Sequence, residues 1–83
     1  MDTINRIVSG VYANPGAYIE QIMEEVYKNG DILLIKVDGP RLKNRFTIVM
    51  IAKNEEFPTI RLDHDSLPTA VTSVLKKYIQ HKN

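Results

Sequence analysis

The stretch Asp31-Ile32-Leu33-Leu34-Ile35-Lys36-Val37 lies between two stop signals, Asn29-Gly30 before it and Asp38-Gly39-Pro40 after it. A short apolar run rich in branched residues, closed by a turn, reads as a buried strand. Upstream, Asn14-Pro15-Gly16 breaks the chain, and Ile19, Ile22, Met23 and Val26 then recur at helical spacing. Asn29-Gly30 tolerates the left-handed backbone that ends a helix, so the pattern predicts a helix over about 15 to 29.

The rest of the chain reads both ways. Leu42, Phe46, Val49 and Met50 make a helical stripe between residues 41 and 54, yet Thr47, Ile48, Val49 and Ile51 are good strand formers. Thr59-Ile60-Arg61-Leu62 after Pro58 alternates like a short strand. Ile4, Ile7, Val8 and Val11 suit successive helical turns, although Ile7-Val8 also fits an edge strand. Ala70, Val71, Val74, Leu75, Tyr78 and Ile79 follow the helix period, with Lys76, Lys77, His81 and Lys82 placed to complement a helix C-terminus. Taken locally, the order is helix, helix, three strands, helix.

Eighty-three residues make one domain, spanning 1–83. A domain this small buries only about 60–65% of the surface of its unfolded chain, so a partner subunit would help it. The absence of cysteine excludes disulfides, thiolate metal sites and thiol chemistry, and favours a reducing, cytoplasmic setting. No basic segment followed by an apolar one marks a signal peptide. The runs Ile32–Ile35 and Ile48–Ala52 are too short to cross a membrane, so a soluble protein is expected.

Net charge is +1, from 11 Lys+Arg against 10 Asp+Glu, which is low for a protein that coats DNA. The cations are nonetheless clustered. Lys36, Arg41, Lys43 and Arg45 fall within ten residues holding one acid, Asp38, while Glu20, Glu24, Glu25, Glu55 and Glu56 lie elsewhere.

Several residues carry this punctuation in a familiar order. Asn5-Arg6-Ile7, the Asn14-Pro15 break, Gly30, the strand Leu34-Ile35-Lys36-Val37-Asp38-Gly39, then Leu42, Phe46, Val49, Ile51, Lys53, Asn54 and Pro58 together resemble the Alba family of nucleic-acid-binding proteins. The resemblance covers residues 5 to 62. It implies an α/β fold, a small two-layer domain of order β-α-β-α-β-β, working as a homodimer that grips DNA or RNA phosphates with little sequence reading. Under it Val71-Thr72-Ser73-Val74 is the last strand. The local reading gives the alternative, an α+β domain of order α-α-β-β-β-α. Gly30-Asp31-Ile32-Leu33 and Asp38-Gly39-Pro40 are similar to the sulfur-carrier TusA family as well, but Asn14 stands where that family has its working cysteine.

The departures from Alba bear on function. Ala13 and Asn14 replace paired lysines, Asp38 replaces an arginine, and only Asp63 to Pro68 stands where the family has a long basic hairpin. With a salt slope of about 0.9 per duplex phosphate contact, losing three or four contacts flattens the salt dependence considerably.

A turn carrying four cations can straddle phosphates, so Lys36, Arg41, Lys43 and Arg45 are the expected nucleic-acid contacts, together with the loop residues Tyr12 and Asn14, and the resemblance makes Phe57 a subunit contact. The competing reading of the cations is a solvated turn. Tyr12 and Tyr18, flanking the Asn14-Pro15 loop, offer faces for base stacking, though such tyrosines are more often half-buried core residues. Asp63-His64-Asp65 contains metal-binding residue types, but neighbours on a strand point to opposite faces, so no metal and no cofactor is expected. Ser66 before Pro68 suits a helix start. With His64 and His81 the only histidines, no catalytic constellation and no glycine-rich phosphate loop, an enzyme is not expected. Glu20, Glu24 and Glu25 read as a solvated helix face, with Glu24 paired to Lys28. The second functional class is a small protein-interaction module, of inhibitor or immunity type, using the acidic helix or a strand edge. Residues 41–53 and 69–80 separate the two: helix then strand fits Alba, strand then helix does not.

Overall fold

A computed structural model describes residues 1–12 and 14–82. Ala13, at one of the two lysine positions implied by the resemblance, lies outside the described residues.

The elements follow the order α1 (Asp2–Val8), a 3-10 turn (Pro15–Tyr18), α2 (Ile19–Asn29), β1 (Ile32–Val37), β2 (Phe46–Ile51), a second 3-10 turn (Lys53–Glu55), β3 (Ile60–His64) and α3 (Leu67–Lys82). The protein is thus a small mixed α/β domain, with three helices on a three-stranded antiparallel sheet of order β1-β2-β3. This is the local order α-α-β-β-β-α. The order β-α-β-α-β-β is not adopted, and the physical reasons are visible at three places.

Residues 46–51 are a strand in which Ile48 and Met50, two apart, are buried toward the helices, opposite Leu62 and Ile60, while Val49 and Ile51 are half-buried on the other face. Branched side chains fit that pleated surface better than a helix. Residues 67–82 are a helix because Ala70, Val71, Val74, Leu75 and Tyr78 form one buried stripe, which a strand at 71–74 would send to opposite faces. The N-terminal segment is a helix whose Ile4 and Ile7 enter the core.

The helix over 15 to 29 divides into a 3-10 turn and α2. Asn14 caps the turn, its Oδ1 accepting the Gly16 N–H at 3.1 Å. Gly30, at φ 78°, ends α2 in the left-handed conformation foreseen for it. The acidic face of α2 is more than a solvated surface: the Glu25 carboxylate accepts the N–H groups of Thr3 at 3.0 Å and Ile4 at 3.1 Å. Those are orphan donors of the first turn of α1, where negative charge is favoured.

The core lies between the sheet and α3, and α1 packs against both other helices. Within it, Asp31 opens the sheet and is tied to the last turn of α3. Its carboxylate accepts the Lys53 N–H at 2.8 Å and the Tyr78 hydroxyl at 2.5 Å, and pairs with Lys82 at 2.9 Å. Among the described residues no helix is long and apolar enough to cross a membrane.

Candidate functional site

The four expected nucleic-acid cations occupy the end of β1 and the loop joining it to β2, but they are not equivalent. Lys36 lies 3.7 Å from Asp38, and the Arg41 guanidinium lies 3.2 Å from Asp38 and 3.4 Å from Asp63. Arg41 also donates to the Asn44 carbonyl at 3.3 Å. It works as the internal brace of the loop. Arg45 stacks its guanidinium over Phe46, 5.5 Å from the ring centre, and Lys43 is exposed. Neither Lys43 nor Arg45 has a carboxylate partner among the described residues.

Asp63 gathers the positive groups. It accepts the Thr47 hydroxyl and faces Arg41 and Arg61. The Thr47 bond, with those two guanidiniums, holds its carboxyl below the ordinary range. Asp65 accepts the Asn44 N–H at 2.7 Å, fixing a left-handed residue at the loop's end. His64 accepts the Ser66 N–H through Nδ1 at 2.9 Å. Asp63, His64 and Asp65 therefore engage different partners, and alternation along β3 sends Asp63 and His64 to opposite faces.

The other expected residues lie apart. Tyr12 stacks on Tyr18 with ring centres 4.0 Å apart, and its hydroxyl accepts from Arg6 at 3.4 Å. One face of Tyr12 is thus occupied, and the Asn14 side chain is engaged in its cap. No hydrogen bond or ion pair joins either residue to the four cations among the described residues. Phe57 is 6% exposed, stacked on His81 and edge-on to Tyr78. It is a core residue of this protomer and leaves little surface for a second subunit.

The strand expected here is present as β1, but its exposure was missed. Ile32, Leu34 and Val37 are 50%, 52% and 65% exposed, although the run reads as a buried strand. The cause is topology. β1 is the edge of the sheet, and α3 packs on β2 and β3. Its open face continues through the half-buried Val49 and Ile51, opposite Leu34 and Ile32.

The backbone of β1 is open as well. The Asp38 N–H donates to the Arg45 carbonyl at 2.8 Å, which makes that pair hydrogen-bonded. Antiparallel alternation then directs the groups of Ile32, Leu34 and Lys36 to β2, and those of Leu33, Ile35 and Val37 outward. The one signal in the sequence is the lone charge, Lys36, in a six-residue strand. A central strand needs none, and an edge is usually guarded by more.

Comparison with protein-family models, with curated proteins and with solved structures finds no match.

Proposed function

We propose that the protein is a non-catalytic protein-interaction module that adds its β1 edge to a partner protein. The observation that carries this reading is the unguarded edge, with outward-facing backbone groups at Leu33, Ile35 and Val37 and exposed apolar side chains beside them. Strand addition draws affinity from main-chain hydrogen bonds and selectivity from the alternating side chains. Apolar surface left open in this way marks an interaction site or a liability.

The test uses Val37→Pro, which removes an outward N–H at the strand end without touching the ladder to β2. Leu34→Lys places a charge on the open apolar face. Affinity capture from the native host, with the wild-type protein beside both variants, is expected to retain a partner on the wild type alone. Retention unaffected by either variant, with both still folded by circular dichroism, overturns the reading.

A second reading, nucleic-acid binding, rests on Lys43 and Arg45, the two loop cations without acidic partners among the described residues. Two phosphate contacts give a salt slope of about −2 on duplex DNA. Fluorescence anisotropy with duplex DNA and single-stranded RNA at several salt concentrations tests it. Salt-sensitive binding lost in Lys43→Ala/Arg45→Ala supports it, and no binding at low salt removes it.

A further inference from the structure

The second edge of the sheet differs from the first. β2 directs alternate residues to β1, so Phe46, Ile48 and Met50 bond to His64, Leu62 and Ile60. On β3 this leaves the backbone groups of Arg61 and Asp63 facing outward. Between that free edge and α3 runs a groove of about 340 Å³. Its floor is Ile60, Leu62 and Val74, with Thr69 and Ser73 along the helix side.

The ends of the groove are chemically alike. Lys77 lines it and makes no ion pair among the described residues. His64 lines it too, with Nδ1 occupied as an acceptor, which leaves the ring proton on Nε2 as a donor. No carboxylate lines the groove among the described residues. α3 runs back along β3 from their connection at Asp65-Ser66, so Lys77 belongs to the Ile60 end and His64 to the other. Four residues of strand separate these ends by about 13 Å.

The geometry points to a binding site here for an extended acidic peptide, of the pattern acidic-x-apolar-x-acidic, lying as a fourth strand on β3. Its central apolar side chain covers Leu62 and Val74. Carboxylates two residues to either side meet Lys77 and the His64 ring. The backbone between them bonds to Arg61 and Asp63, and the intervening side chains face the open side of the sheet. Charge complementarity selects this occupant, because both ends of the groove donate and no carboxylate lines it among the described residues.

The probe is a fluorescein-labelled nonapeptide with the core Glu-Thr-Val-Thr-Glu, compared with the same peptide carrying lysines for the glutamates. Saturable binding of the acidic peptide is expected, with at least about a tenfold loss in Lys77→Glu. Amide NMR shifts are expected at Arg61 and Asp63. No saturable binding, equal binding of the lysine peptide, or an unchanged affinity in Lys77→Glu each overturns the site. Shifts confined to Leu33, Ile35 and Val37 overturn it too, and place strand addition at the other edge. Val37→Pro leaves this binding intact, so failure here is separate from failure at β1.

Discussion

The Tyr78 hydroxyl donates to Asp31 Oδ2 at 2.5 Å, joining the residue that opens the sheet to the penultimate turn of the last helix. The Asn29 amide donates to the same hydroxyl at 2.9 Å, and Lys82 closes the group from the other side. Among the described residues no buried side-chain polar atom lacks a partner. Removing one member leaves a polar neighbour short of a partner, and that asymmetry dominates the cost.

Asp31→Ala is therefore expected to destabilise the fold by about 3 kcal/mol, since it leaves the Lys53 N–H and the Tyr78 hydroxyl without their acceptor and the Lys82 ammonium with Glu56 alone, at 3.4 Å. For a chain of this size that is a fall in melting temperature of about 15 °C. Tyr78→Phe removes one neutral donor to a charged acceptor and is expected to cost about 1.5 kcal/mol. Thermal and urea unfolding measure both.

The pH dependence has two limbs. Burial pushes the Asp31 carboxyl up, but the Lys53 N–H, the Tyr78 hydroxyl and Lys82 outweigh it and hold it below its ordinary 3.8. A depressed carboxyl stabilises the fold above its unfolded value and loses that contribution as pH falls through the folded one. Lys82 is raised, by its bond to Asp31 above all, and Tyr78 is raised, by burial first and then by Asp31. Both contributions are complete below the unfolded values and fade as pH rises past about 10. Unfolding followed from pH 2 to 11 is expected to show stability falling at both ends, and Asp31→Ala is expected to flatten both limbs together.

Hydrogen exchange reads the open edges directly. Along β1 the amides of Leu33, Ile35 and Val37 are expected to exchange faster than those of Leu34 and Lys36, which bond to β2. On β3 the fast amides are those of Arg61 and Asp63. Uniform protection along β1 would mean that its edge is already covered in solution.

Glu25→Ala is expected to loosen α1 selectively, because its carboxylate holds the first free N–H groups of that helix. A loss of about 1 to 2 kcal/mol is expected, with faster exchange at Thr3 and Ile4.

The sequence announced some of this clearly. Asn14-Pro15 and Gly30 bracket the helical region because their backbone requirements are local, and Asp38-Gly39-Pro40 marks the end of β1 for the same reason. The segment 46–51 was undecided because its branched apolar residues satisfy either period, and only the partners Leu62 and Ile60 settle which face is buried. The edge position of β1 was hidden, since composition cannot say on which side of a strand its neighbours stand. Phe57 beside Tyr78 was equally illegible, because twenty residues lie between them in the chain. In the loop, Asp38 is visible beside the cations, but Asp63 reaches Arg41 only through the pairing of β3 with β2.

The clasp between Asp31 and the end of α3 also sets a timetable. During synthesis the strands can pair once residue 64 is free, but the carboxylate that begins the sheet has no lysine or tyrosine to meet until residue 82 has left the ribosome. Until then the Lys53 N–H is the one folded partner that the Asp31 carboxylate can meet. Tyr78 and Lys82 then supply its remaining partners, while both edges of the sheet stay open.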